Sequence, residues 1–292
     1  MATRFGLGVA VRGWLWLAML VAGCASTERL APGNLLNGKI LAVVHGCGGF
    51  GTYRNTVPPN TVAALEQSLA QGADGVEMDI QVTADGQLAV FHDGLMDIAT
   101  DCAGCIGDMT WDEVRSCSYQ TRNGNLDGHH PVVLLDTLLA QIEASGYQPW
   151  VFLNTKHDSP CDPGDDGVNY ETFAQLLSEA VHRHDLGDRV IVESMSERFL
   201  SVMGERDTTV HLLFDDEDYK RGMEVVRRND FIGLCISNGQ VTADQVAQAH
   251  QEGYWLGIWG VRVLGDTQRA VEKGPELVMT DDLLMLRSCL KE

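Results

Sequence analysis

Positive charge is scarce in this chain. Its 292 residues carry 21 Lys and Arg against 41 Asp and Glu, a formal net charge of -20. Residues 1–23 hold Arg4 and Arg12 but no acid, so the remainder stands at 19 against 41, or -22. Nucleic-acid backbones are bound by Lys and Arg that displace counterions. Anionic lipid likewise attracts basic patches. Neither is a partner for so acidic a body. The N-terminal apolar run Trp14–Ala22 is also too short to span a bilayer comfortably. Disorder is excluded in turn, since 45% of the residues are hydrophobic and only 21% charged. What remains after residue 23 can bury a large core, as one barrel-sized domain or two small ones.

The short run behind Arg4 and Arg12 has the length of a signal-peptide core. It ends in Leu20-Val21-Ala22-Gly23-Cys24, which resembles a bacterial lipobox. On that reading residues 1–23 are removed and Cys24 carries the lipid, which holds a soluble body to a membrane. Ala25 after the cysteine resembles lipoproteins sent to the outer membrane, so the expected location is the cell envelope, facing the periplasm. Residues 24–38, with Pro32, Gly33, Asn34, Asn37 and Gly38, read as a tether. Residues 39–292 form the expected domain.

An oxidising envelope permits disulfides. Cys102, Cys105 and Cys117 form the one local cluster, read as a disulfide pinning a surface loop rather than a zinc site, which would need a fourth ligand. Cys235 lies inside an apolar run and is expected to be simply buried.

Nine short apolar runs are read as strands: Leu41–His45, Val76–Ile80, Leu88–Phe91, Trp150–Leu153, Val190–Glu193, Val210–Phe214, Phe231–Ile236, Tyr254–Trp259 and Leu277–Thr280. Most are continuous rather than alternating, as for strands covered on both faces. Helical spacing lies between many of them, over Thr61–Gln71, Tyr170–His184, Thr242–Glu252 and Thr267–Lys273, with Asn60 or Thr61 able to cap the first. Too few residues separate the second run from the third for a parallel crossover, so these two form an antiparallel hairpin. Eight runs remain, which predicts an α/β fold, a (β/α)8 TIM barrel whose site lies at the C-terminal ends of its strands. An open α/β sheet is the alternative. A turn centred on Ala84 and Asp85 would set Glu77 opposite His92, and a slip of one residue would turn His92 to the other face.

Polar residues gather at the strand ends. His45 closes the first run, Glu77 and Asp79 share one side of the second, His92-Asp93 ends the return strand, and Asn154-Thr155-Lys156 follows the next. Two neighbouring carboxylates oppose each other's ionisation unless a cation joins them, which argues for one divalent ion. Oxygen donors favour Ca2+ or Mg2+.

The stretch comprising His45-Gly46-Cys47, Pro58-Pro59-Asn60-Thr61, Gln71–Asp79, Thr83-Ala84-Asp85-Gly86 and Val90-Phe91-His92-Asp93 resembles the glycerophosphodiester phosphodiesterase family. Leu153-Asn154-Thr155-Lys156, Trp259-Gly260-Val261-Arg262 and Thr280-Asp281 agree more loosely. The resemblance runs from about residue 40 to 283. It implies a (β/α)8 barrel with a small insertion, here about 94–131. It implies His45 and His92 as general acid and base, Lys156 facing phosphate, Glu77 and Asp79 as metal ligands, and Trp259 as a substrate wall. Products would be glycerol 3-phosphate and an alcohol such as choline.

Three positions depart from that pattern. Gly46 stands where the family has Arg, Pro59 where it has Glu, and Asn154 where it has a third metal-binding carboxylate. Gly offers no planar fork to phosphate; Arg54 or Arg122 would have to reach it from a loop. An Asn carbonyl coordinates a cation without adding charge. Two other readings stand beside the phosphodiesterase: a phospholipase acting on lipid-headgroup diesters, and a noncatalytic envelope protein that binds phosphorylated ligands. The acidic groups Asp158, Asp162, Asp165 and Asp166, and Asp215–Asp218, read as solvated loops that favour a cationic headgroup near the mouth. His157 is near the rim without a role, and Trp150 and Trp255 read as packing residues.

Overall fold

The structure, a computed structural model, describes residues 34–50, 57–120, 129–157, 159–161 and 169–290. Residues 1–23, Cys24, Arg54, Arg122, Asp158, Asp162, Asp165 and Asp166 lie outside them. Strands run β1 Leu41–Val44, β2 Gly75–Val82, β3 Leu88–Val90, β4 Val133–Leu134 and β5 Trp150–Thr155. They continue as β6 Val190–Ser194, β7 His211–Asp215, β8 Gly233–Ser237, β9 Trp255–Val261 and β10 Leu277–Thr280. The helices are α1 Val62–Ala70, α2 Trp111–Val114, α3 Leu135–Ser145, α4 Tyr170–Arg183 and α5 Glu197–Arg206. After them come α6 Tyr219–Asn229, α7 Ala243–Glu252, α8 Leu264–Glu272 and α9 Leu283–Cys289. No helix of the described residues is long and apolar enough to cross a membrane.

Eight strands pair in parallel in the order β1-β10-β9-β8-β7-β6-β5-β2, and β1 pairs with β2 to close the ring. This is a (β/α)8 TIM barrel. All nine apolar runs became strands; the two-residue β4, too short to carry a pattern, adds to the edge of β3. Alternate strand residues face inward, where Leu41, Val43, Phe152, Ile191, Leu213, Cys235, Leu277 and Met279 pack together. The other faces meet the helices in one large core. Continuous apolar runs are therefore what both faces required. Trp150 and Trp255 meet edge to face, 5.5 Å between centroids, at the starts of their strands, the end opposite the polar rim.

The hairpin is shifted by one residue from the expected register. Val90 pairs with Ile80, so Asp79 lies opposite Phe91 rather than Val90. The turn has three residues, Ala84 to Gly86, closed by Thr83 and Gln87, and Gly86 takes the positive φ (+78°) that ends such a loop. His92 still reaches the rim, because the chain leaves the ladder after Phe91. The Gln81 amide holds it there by donating to Phe91 O (2.8 Å) and Asp93 O (3.0 Å).

Between β3 and β4 the chain builds a satellite core of Phe91, Met96, Ile106, Val114, Tyr119 and Val132. Two disulfides brace it. Cys102 pairs with Cys117, while Cys105 pairs with Cys161 beyond β5, outside the cluster expected to pair within itself. Sequence spacing could not reveal that second bridge, whose partners are 56 residues apart. It ties the insertion to the segment carrying Pro160, which packs over Gly94 beside the mouth. C105S/C161S is expected to cost about 2–4 kcal/mol in urea unfolding, the usual range for a native bridge. A loss below about 1 kcal/mol would mean that the bridge braces nothing. Residues 34–38, the end of the segment read as a tether, form a turn docked on the barrel: Asn34 donates to Lys39 O and Pro275 O, and Leu35 N to Glu276.

Candidate active site

At the C-terminal rim the inward positions change from apolar to polar. His45 follows β1, Glu77 and Asp79 lie in β2, and Asn154 and Lys156 are in and just after β5. Glu193 lies next to the end of β6, Asp215 closes β7, Trp259 lies in β9 and Asp281 follows β10. Two cavities of about 570 and 230 Å3 open here and share His92, Asn154, Lys156, Met195 and Asp215. His45, Glu193, Trp259, Arg262 and Asp281 line the smaller one.

The imidazoles of His45 and His92 meet edge to face with centroids 6.1 Å apart. Each is oriented by a carboxylate on Nδ1, His45 by Asp281 at 2.9 Å and His92 by Asp93 at 3.0 Å. Nε2 is then the nitrogen each ring offers to the mouth. Burial disfavours the His45 imidazolium, but the bond to Asp281 and the fields of Glu77, Asp79 and Asp281 outweigh it and raise the pKa. His92 is raised chiefly by Asp93, against burial and with help from Asp79.

Phe50 lies against both rings, at 4.4 and 4.6 Å. It also explains the departure at position 46. Gly46 has φ +54°, and a Cβ there would sit 2.5 Å from the Phe50 ring and 2.9 Å from Pro59. A longer side chain at 46 has no room while Phe50 and Pro59 fill it. The Gly46 amide donates to Glu77 Oε2 at 2.6 Å.

Glu77 and Asp79 are fully buried and line neither cavity. Lys156, which lines both, places Nζ 2.9 Å from Asp79 Oδ1, while Asn60 Nδ2 donates to Asp79 Oδ2 at 2.7 Å. Asn60 is thus the clamp of Asp79, and Thr61 caps α1. Burial would raise Asp79, yet Lys156, both histidines and Asn60 hold it down at about 2. Burial and then Asp79 push Glu77 up to about 8. Glu193 is also pushed up to about 8, by burial and Asp215. Glu77 Oε1 and Glu193 Oε2 are buried without a hydrogen-bond partner. Such oxygens, with the Asn154 amide beside them, suit a hard divalent cation, so the donor set fits one.

An acid raised in the fold binds its proton longer than in the unfolded chain, so stability falls as pH rises between the two pKa values. In a chelating buffer the unfolding midpoint is expected to fall from pH 5 to pH 8, the window set by Glu77 and Glu193, with the raised histidines adding in the same direction. A midpoint that rises across this window would contradict the assignment.

Trp259 Nε1 donates to Asp215 Oδ1 at 3.2 Å, so the expected wall is pinned to an acid. The run Asp215–Asp218 is not simply a solvated loop: Asp216 is buried and paired with the exposed Arg221, and Asp218 caps α6. His157 packs among Tyr170, Phe173 and Phe199, and burial pushes its pKa down to about 4, which marks a neutral supporting ring. Asp281, Arg262, Phe50 and Glu193 had no assigned role in the sequence. The available signal was an acid just after an apolar run, the same signal that singled out His45.

A profile of the glycerophosphoryl diester phosphodiesterase family matches residues 49–285. The glycerophosphodiester phosphodiesterase of Caldanaerobacter subterraneus subsp. tengcongensis is 26% identical over 248 residues, covering 84% of this chain and 95% of that one. Among solved structures, an Oleispira antarctica phosphodiesterase in complex with the product sn-glycerol-3-phosphate has a TM-score of 0.72 at 20% identity, over 85% of this chain and 96% of that one. A glycerophosphodiester phosphodiesterase of Agrobacterium tumefaciens has a TM-score of 0.66 at 19% identity, over 86% and 100%. At those identities the structural likeness speaks for the fold.

Proposed function

Because the chain belongs to the glycerophosphoryl diester phosphodiesterase family, and with it to the phosphoric diester hydrolases, we propose that it splits glycerophosphodiesters into glycerol 3-phosphate and an alcohol by acid–base catalysis between His45 and His92. The observation that carries this reading is the pair of imidazoles facing one another at 6.1 Å across the mouth, each with Nδ1 held by a carboxylate. One Nε2 takes the proton of the attacking hydroxyl, either from water directly or from the substrate's own glycerol, in which case water then opens the cyclic phosphate to glycerol 3-phosphate. The other returns a proton to the leaving alkoxide. Lys156 lines the same cavity and faces the phosphoryl group. Arg262, anchored through Nε to Asp281 at 3.0 Å, supplies the guanidinium that Gly46 cannot. Trp259, Asp215 and Glu217 line the acidic side of the mouth, which suits a cationic leaving group such as choline.

Members of the family generally depend on a divalent metal. Here Glu77, Asp79 and Asn154 would hold Ca2+ or Mg2+, which when bound screens and polarises the phosphodiester. The lipobox-like Cys24 supports attachment to an envelope membrane, and the disulfides Cys102–Cys117 and Cys105–Cys161 accord with export.

The test is release of glycerol 3-phosphate from sn-glycero-3-phosphocholine, with and without chelator, beside release of choline or phosphocholine from intact phosphatidylcholine vesicles. Turnover of the soluble diester supports the proposal. Turnover confined to vesicles would favour the phospholipase, and none with either would favour a binding protein.

Asp281 gives a second check. D281N removes the group that raises His45, so the His45 pKa falls and the limb of the pH–rate profile that reports it moves to lower pH. Movement of the acid limb makes His45 the base, and movement of the alkaline limb makes it the acid. An unmoved profile would remove His45 from the chemistry.

A further inference from the structure

Three neighbouring strands carry one row of oxygen donors at the rim. Asp79 in β2 is in register with Asn154 in β5, and Asn154 with Glu193 in β6. Residues in register in a parallel sheet point to the same side, and strands are about 4.8 Å apart. The three side chains therefore lean into the barrel as a row, with Glu77 on the same face two residues below Asp79. Glu193 is 1% exposed and lines the smaller cavity together with both histidines. Its carboxylate accepts the thiol hydrogen of the buried Cys235, while Oε2 has no partner. Glu77 Oε1 is in the same condition.

A buried carboxylate oxygen with nothing to accept is costly, and two in one row need a common reason. Lys156 is not that reason, because its ammonium sits on Asp79. A cation drawn into the row would satisfy both oxygens at once, the Glu77, Asp79 and Glu193 carboxylates closing on it from positions that as they stand are not all within 4.8 Å of one another. It would also give Cys235 a use: the thiol turns one edge of Glu193 away and leaves the other for the ion.

We propose that Glu193 is a ligand of the divalent cation, reaching from β6 beside the neutral Asn154, so that three carboxylates and one amide surround the ion. This rests on the reading that the mouth binds a divalent cation at all. It makes Asn154 a neutral donor between two charged ones, and it predicts that the charge can be moved from one strand to the next.

The experiment is calorimetric titration of chelator-treated full-length protein with CaCl2 and, separately, MgCl2, beside the cation-induced rise in Tm. Wild type is expected to bind at least one of the two. E193Q should weaken binding at least tenfold, E77Q should do likewise, and N154D/E193Q should recover to within about threefold of wild type. If E193Q does not fold, E193D, which keeps the charge but shortens its reach, should show the same weakening with its circular dichroism unchanged. E193Q binding as tightly as wild type while E77Q is weakened overturns the role of Glu193 and leaves the metal reading intact. Failure of wild type to bind either ion overturns both.

Discussion

Alanine at His45 or His92 is expected to slow turnover of sn-glycero-3-phosphocholine by about 10²–10⁴-fold, the usual worth of one positioned general acid or base. The two losses should not multiply. A base without its acid partner stalls at the leaving group, and an acid without its base waits for the nucleophile, so H45A/H92A should resemble the worse single variant. His92 is 39% exposed and His45 23% exposed in their side chains, so neither replacement opens a large hole in the core. Stability measured in urea should therefore change far less than rate. Added imidazole is expected to restore part of the activity of H92A, the more open site, in proportion to its free-base or cationic form. If either single variant keeps more than a tenth of wild-type turnover at saturating substrate, the two-imidazole scheme is wrong.

Lys156 is expected to show the largest stability effect. Its ammonium lies 2.9 Å from an Asp79 carboxylate that is wholly buried. In K156M that carboxylate keeps Asn60 but loses its nearest charge, among neighbours that include Glu77 and Glu193. Removing one partner of a buried pair typically costs about 3–5 kcal/mol, because the other charge is left uncompensated. The Lys156 side chain is 28% exposed, which argues for the lower part of that range. D79N/K156M should regain much of the loss, since an amide needs no cation. Urea unfolding of wild type, D79N, K156M and the double variant at pH 7 in chelator closes the cycle. Asp79, held at about 2, contributes stability above its ordinary pKa of 3.8 and loses it as pH falls toward 2, so the penalty of K156M should shrink on acidification. A K156M loss below about 1 kcal/mol at pH 7 would falsify the buried-pair account.

The site shows how unevenly a chain announces its chemistry. His45, Asn154, Lys156 and Trp259 were legible because each ends or follows an apolar run, and a barrel gathers strand ends at one rim. His92 was legible too, but for a wrong geometric reason. The register placed it opposite Glu77, whereas the ladder is shifted by one and the Gln81 amide steers the departing chain. Arg54 and Arg122, offered as phosphate ligands, lie outside the described residues. Among the described residues the arginine that lines the smaller cavity, beside Lys156, is Arg262, whose Nε bonds Asp281 some nineteen residues further along.

Sequence alone was enough for the barrel, its hairpin, the excess of acid and the place of the two histidines at the rim, because these follow from local quantities: run length, continuous hydrophobicity, turn residues and charge. Tertiary structure decided the rest. Only folding could pair Cys105 with Cys161, lay Phe50 into the space above Gly46, clamp Asp79 with Asn60, and bring Glu193 into line with Asp79. Those relations join groups far apart along the chain, and closing the ring of strands, not any local preference, sets which of them meet.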